Sequence, residues 1–295
     1  FVADYSNHKI RRVEVATGVV TTLAGSGEGG YADGVGVAAR FCYPGGISIS
    51  PDGGALYVED SSNHKIRRVE VATGAVTTLA GSGEAGDTDG VGDAAEFYYP
   101  GGICISPDGG VLFVADVDNH KIRRVEVATG AVTTLAGSGT VGSADGVGDA
   151  AEFDSPYGVA ISPDGGAVFV ADHDNHKIRR VEVATGEVTT IAGSGTEGSA
   201  DGVGDAAEFE GPVEVAISPD GSTLALFVAD FCNHKIRRVE VATGAVTTLA
   251  GSGEDGDADG VGDAAQFSYP HGISMSPDGG ALFVTDYSNR KIRRV

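Results

Sequence analysis

Tryptophan is absent from the 295 residues, methionine occurs once and cysteine three times. Cys42, Cys104 and Cys232 are odd in number and stand in unlike surroundings, so neither a disulfide framework nor a C-x-x-C metal site is implied. No apolar run approaches the roughly 18 residues of a membrane helix, and no membrane insertion is expected. Positive charge is scarce as well: 20 Lys and Arg stand against 42 Asp and Glu, a net charge of −22. A field of that sign repels phosphate backbones, so no nucleic acid partner is expected. A Gly-x-Ser-x-Gly elbow and helical periodicity are missing too. The chain starts inside a strand-like phrase without methionine and stops inside another, reading as a mature segment or fragment; its compartment is left open.

What the chain does have is one phrase written six times. Copies of Phe-Val-Ala-Asp-x-x-Asn-His-Lys-Ile-Arg-Arg-Val begin at Phe1, Tyr57, Phe113, Phe169, Phe227 and Phe283. Counted between the shared asparagines, the step is 56 residues, with a single step of 58 between Asn175 and Asn233. A fixed period dictates architecture before any single residue does. The 47 glycines recur at the same places in each copy, which marks them as turn residues.

Within the second copy, Gly46 to Ser50 reads as a short strand, Ser50 to Gly54 as a Pro-Asp-Gly turn and Ala55 to Glu59 as a second strand. Asp60 to His64 makes another turn, Lys65 to Ala72 a third strand, and Ala75 to Ala80 a fourth rich in Val and Thr. Four short antiparallel strands per repeat predict a β-propeller blade. The phrases Pro-x-Gly-Ile-x-x-Ser-Pro-Asp-Gly and Leu-Phe-Val-Ala-Asp-x-x-Asn-His-Lys-Ile-Arg-Arg-Val resemble the NHL repeat, over essentially the whole chain. That resemblance implies a six-bladed propeller. Small departures are Glu59 and Thr285 in place of the Ala before Asp, Lys after Asn-His, and Arg290 in place of the last His. Strand counting predicts an all-β, six-bladed β-propeller of four-stranded antiparallel blades in one domain, residues 1–295, with each terminal blade one strand short. A five-bladed ring is the competitor, and it leaves two strands without a place.

The long connection after each fourth strand admits three readings. Gly81-x-Gly83-x-x-Gly86 fits a dinucleotide fingerprint, but no helix N-terminus follows to hold a pyrophosphate, so no cofactor is expected. Asp255-x-Asp257-x-Asp259-Gly260 resembles the start of a calcium loop, with Gln266 where a bidentate Glu belongs. The reading favoured here is structural: Asp93-Ala-Ala-Glu96 and its equivalents fit a capping box, with one helical turn carrying Phe97, Phe153, Phe209 or Phe267 between blades.

Eighteen of the 20 basic residues fall in Lys-Ile-Arg-Arg, and the arginines are expected to pair with Glu14, Glu70 and their equivalents or with neighbouring blades. NHL-type propellers that bind RNA use a basic face, which this composition does not offer. His8, His64, His120, His176 and His234 are expected to fix turns by hydrogen bonding, and His173 to be solvated. Catalysis needs asymmetry, and the departures from the repeat lie at the entries to the first strands, where Tyr157, Glu214 and His271 could meet. The turns between second and third strands vary most and present Tyr5, Phe231 and Tyr287. By propeller topology those turns and the acidic connections share one face. The expectation is therefore a non-enzymatic scaffold binding a protein or glycan partner there, within a larger protein or assembly. No metal site is assigned; the alternative is a metal-dependent hydrolase or lyase at the channel mouth using Glu214 and His271.

Overall fold

A computed structural model describes residues 1–219 and 224–295 in two compact units, Phe1–Leu135 and Ala136–Val295. The fourth Ser-Pro-Asp-Gly turn, expected at 218–221, lies partly outside the described residues. Six antiparallel sheets follow one another along the chain, with three, five, five, five, five and three strands. This is the all-β, six-bladed propeller class that the repeat predicts, with three-stranded first and last blades. Blades two to five each gain one two-residue strand beyond the four expected, Gly34–Val35, Gly90–Val91, Gly146–Val147 and Gly202–Val203.

The sequence of blade three explains its strand order. Val111–Asp116 is a nearly continuous apolar run that packs against blade two through Leu112 and Val114, and five of its six residues are buried. Lys121–Glu126 pairs with it in full register, from Val111 opposite Glu126 to Asp116 opposite Lys121. Ala131–Ala136 follows, and along it Val132 and Ala136 are buried while Thr133 is exposed. Val-rich and Thr-rich segments suit a pleated, half-buried surface, and burial falls from the second strand to the fourth.

Each long connection starts over one end of a blade and ends at the other. After Ala80, the amide of Gly81 donates to Gly92 and that of Ser82 to Ala95, which folds the segment back on itself. Gly90–Val91 then pairs with the start of the next fourth strand, Ala131 opposite Val91, and the Gly92 amide donates to Gly130 in the Thr-Gly turn. The acidic connections thus run along the outer edge strand toward the Val-Ala-Thr-Gly turns. They are not confined to the end that carries the turns between second and third strands, as topology alone suggests.

Gly92–Ala94 forms one 3-10 turn, as expected, but the capping box does not form. Val91 occupies the N-cap with extended backbone and makes no side-chain cap bond. Glu96 instead accepts from the Thr88 hydroxyl at 2.7 Å, on the outer side of the loop. The turn does deliver Phe97 to an apolar seat. Phe97 is fully buried with Ile66 and Ala80 of blade two and Leu112 and Val114 of blade three. Phe41, Phe209 and Phe267 take equivalent seats, and Phe153 is fully buried.

The two arginines of Lys-Ile-Arg-Arg separate into different roles. Arg68 pairs with Glu70 at 3.2 Å and Arg124 with Glu126 at 2.5 Å on partly exposed surface, as expected. Arg67, Arg123, Arg179 and Arg237 are instead completely buried. Arg123 donates to Asp116 at 2.6 Å and Asp89 at 2.8 Å, reaches the carbonyls of Glu96 and Thr88, and stacks 5.3 Å from the Phe97 ring centroid. Asp116 also accepts from the Tyr98 amide and from Asn119, which binds the Gly86 carbonyl as well. Burial holds the Asp116 carboxyl above its ordinary range, and the Arg123 guanidinium and these donors offset that rise only in part. The Asp-x-x-Asn and Lys-Ile-Arg motif is therefore the polar seam between successive blades.

Candidate functional site

The entries to the first strands of blades two, three, five and six are held by the histidine of the preceding repeat. His8 Nδ1 accepts from the Tyr43 amide, His64 from Tyr99, His176 from Gly211 and His234 from Tyr269, each at 3.1 Å. These residues all precede a proline and sit at positive φ, between 46° and 59°. Only one of the four is glycine, so the histidine bond helps hold a conformation that an ordinary residue resists. The turn-fixing role expected of the repeated histidines is present for His8, His64, His176 and His234.

The same geometry exposes aromatic rings beside the variable turns. In the first unit Tyr5 stacks on Tyr43 with centroids 4.9 Å apart, both 39% exposed, and Tyr98 packs on Tyr99. In the second unit the grouping is larger and centres on His271, the second residue of the strand Pro270–Met275. Tyr157 meets its ring edge-on at 5.3 Å and Phe231 edge-on at 5.8 Å, Tyr287 lies tilted against it at 5.9 Å, and Phe231 also packs on Tyr269 at 4.9 Å. Tyr287 is half exposed, whereas Phe231, read from sequence as an exposed aromatic, is half-buried between Tyr269 and His271.

The first strands of blades four, five and six run side by side, and this is what brings the departures together. Glu214, third in the strand Pro212–Ile217, lies against Gly158, the neighbour of Tyr157; a Cβ on Gly158 would stand 2.5 Å from the carboxylate. Glu214 is half-buried, and loss of hydration pushes its carboxyl up to about 8 despite bonds from the Val215 and Val159 amides. His271 is pushed the other way, to about 4, by desolvation and then by the charge of His173. At neutral pH the acid is mostly protonated and the imidazole neutral, so each can both donate and accept a hydrogen bond. His173, expected to be solvated, is half-buried, bonds Asp174 at 2.7 Å and abuts Gly211.

Tyr157, Phe231 and Tyr287 thus gather on His271, with Glu214 beside Tyr157. Tyr5 belongs to the first unit and forms a separate pair with Tyr43. Tyr269 was missed from sequence, although the pre-proline position carries an aromatic at Tyr43, Tyr99 and Tyr269. Glu59 is a further departure: it is fully buried, and a Cβ on Gly46 would meet its carboxylate at 2.0 Å. Glycine at position 46 is therefore required by the acid opposite, whereas in blade five the acid stands on the first strand as Glu214, facing Ala229.

Two of the three carboxylates of the calcium-like loop are already engaged: Asp257 pairs with Lys291 at 2.7 Å and Asp259 with Arg293 at 2.6 Å. Among the described residues no three His, Cys, Asp or Glu side chains are grouped so as to hold an ion. Among the described residues no helix is long and apolar enough to cross a membrane.

Blade-by-blade pairing, the seam between blades and this strand-entry geometry define a β-propeller. Comparison with known proteins agrees, since residues 41–68 and 97–124 match the family profile described as NHL repeat. The chain belongs to the NHL-repeat family of β-propellers, and over residues 127–294 it also falls within the family described as "Lactonase, 7-bladed beta-propeller", although six blades are present here. It is 30% identical, over its whole length, to 29% of Protein SUPPRESSOR OF QUENCHING 1, chloroplastic, of Arabidopsis thaliana. It is 28% identical over 99% of its length to 44% of NHL repeat-containing protein 2 of Bos taurus. The chain thus spans less than half the length of these relatives. Among solved structures, an auxiliary nutrient binding protein from Bacteroides thetaiotaomicron superposes with a TM-score of 0.73 at 18% identity, covering 98% of this chain and 64% of that one.

Proposed function

We propose that the chain is a non-enzymatic interaction scaffold that binds a protein or glycan partner through the aromatic surface around His271. The grouping of Tyr157, Phe231 and Tyr287 on one imidazole, with Tyr269 packed on Phe231, carries this reading. Clustered tyrosines offer large contact area at low entropic loss, and aromatic rings are enriched where binding energy concentrates. Protonated Glu214 and neutral His271 add hydrogen-bonding groups without a net charge to desolvate. Membership in the NHL-repeat family supports the scaffold reading. The test screens the purified chain on glycan and protein arrays, then titrates any ligand found against Phe231→Ala/Tyr287→Ala. The double variant should bind at least about tenfold more weakly, and unchanged affinity overturns the reading.

A second reading, a hydrolase or lyase acting at the same strand entries, is favoured by one observation. Two titratable groups with strongly and oppositely perturbed pKa values stand in one neighbourhood, as acid and base partners do. Glu214→Gln/His271→Ala separates the readings. Loss of bound metal and of turnover on lactone or ester substrates supports the enzyme, and ligand capture with no turnover in the parent chain supports the scaffold.

A further inference from the structure

Three departures from the repeat that the aromatic surface does not use meet between blades four and five. Gly211 stands where the other copies carry Tyr43, Tyr99, Ser155 and Tyr269, while His173 and Cys232 stand in the variable turns of the two blades. In three copies the repeated histidine packs edge-on against the tyrosine at this place, His8 on Tyr43, His64 on Tyr99 and His234 on Tyr269, with centroids 4.6 to 4.9 Å apart. His176 accepts from the Gly211 amide in the same way, but no side chain follows. Two other groups border the space instead. A Cβ on Gly211 would stand 2.9 Å from His173 Nε2 and 3.5 Å from Cys232 Sγ.

The imidazole is aimed by its other nitrogen. His173 Nδ1 bonds the Asp174 carboxylate at 2.7 Å, and a carboxylate only accepts, so the neutral ring carries its proton on Nδ1 and its lone pair on Nε2, toward Gly211 and Cys232. Cys42 and His8 approach one another across Gly29 in a similar way, 3.7 and 3.3 Å from a Cβ there, but His8 Nδ1 accepts from the Tyr43 amide. The proton of that neutral ring is therefore on Nε2, which cannot act as a ligand. Cys232 is a free, partly exposed thiol. Loss of hydration, followed by the charges of Glu210, Asp230 and Glu197, holds its pKa above the ordinary value. That direction disfavours a nucleophilic thiolate. The same carboxylates attract a cation toward the sulfur.

We propose that Cys232 Sγ and His173 Nε2 bind a soft closed-shell cation, Cu(I), with Asp174 as the positioning residue behind the imidazole. Thiolate sulfur and imidazole nitrogen select such an ion over calcium or magnesium, which take oxygen ligands. Two protein ligands suit Cu(I), whereas structural zinc takes four. Closed-shell cations such as zinc stand about 2.3 Å from sulfur and about 2.0 Å from imidazole nitrogen, so binding releases the thiol proton to solvent and draws the two side chains together. The site uses none of the rings assigned to the partner surface and is independent of that assignment.

Cu(I) is titrated anaerobically into the 295-residue chain against a chromophoric Cu(I) chelator, and the loaded protein is measured by X-ray absorption at the copper edge. One tight equivalent is expected, with sulfur and nitrogen both in the coordination shell. Cys232→Ser and His173→Ala should each weaken binding by at least about a hundredfold and Asp174→Asn by about tenfold, whereas Cys42→Ser and Cys104→Ser should leave it unchanged. Gly211→Tyr tests the geometry apart from the ligands. Tyrosine is held at the same positive φ in three other copies, so this variant should keep the parent's circular dichroism while its side chain displaces His173 and weakens binding by at least about tenfold. Unchanged affinity in Cys232→Ser, an equal loss in Cys42→Ser, a shell without nitrogen, or parent-like binding by folded Gly211→Tyr would each overturn the proposal.

Discussion

Arg67, Arg123, Arg179 and Arg237 hold full charges at zero exposure, which is tolerable only because each meets two carboxylates, two carbonyls and a phenylalanine face. Arg123→Leu should destabilise the chain by about 3–5 kcal/mol, since it strands Asp116 without its counter-charge, whereas Arg124→Leu should change stability by less than about 1 kcal/mol. Chemical denaturation of the two variants checks both values. The contrast was not legible in the sequence. The adjacent arginines look alike there, and Asp89 stands 34 residues from its partner, so only the fold reveals which one enters the seam.

Glu214 gives a pH signature at the same scale. Its folded pKa of about 8 lies above the ordinary 4.5, so the folded state binds the extra proton between those limits. Its contribution is intact below about pH 4.5 and is lost as pH rises toward 8. His271, depressed from 6.5 to about 4, acts in the opposite sense and loses its contribution as pH falls through that range. The two slopes oppose each other between about 4.5 and 6.5, leaving a net decline above 6.5 that belongs to Glu214. Glu214→Gln should remove that decline and raise stability at pH 8 relative to the parent, with little difference at pH 4. Thermal melts across the series measure it, and parallel curves for both proteins would refute the assignment.

At the scale of elements, the long connection carries the main lesson. Its Phe seats were readable because an apolar residue recurred after a short turn in each repeat. The capping box was not real: Asp93 and Glu96 have the right spacing, but the N-cap is Val91, and the loop's path along the neighbouring edge strand directs Glu96 to Thr88. Spacing alone does not report that path. Phe97→Ala should destabilise by about 3–5 kcal/mol, because a fully buried ring between two blades leaves a cavity neither can close. Gly81→Ala should also destabilise, since φ there is +106° and a Cβ would stand 2.4 Å from the His64 carbonyl. Thermal unfolding distinguishes these from Asp93→Ala, which should be close to neutral.

At the scale of the molecule, the period of 56 fixed fold class, blade number and the short terminal blades, because every repeat states the same strands and turns. The candidate site was legible only in pieces. Tyr157, Phe231 and Tyr287 were visible as departures from the repeat, and a span of 130 residues between the first and last closes only when the first strands of blades four to six lie together. Tyr269 escaped because it stands where tyrosine also appears in two other copies.

The most direct measurement is titration calorimetry of an array-identified protein or glycan ligand against the parent chain, Phe231→Ala/Tyr287→Ala, and a control at the opposite turns, Thr129→Ala. Binding should be retained in the control and lost by at least about tenfold in the aromatic variant. Equal affinity for all three proteins would contradict the assignment of the interaction surface to the rings around His271.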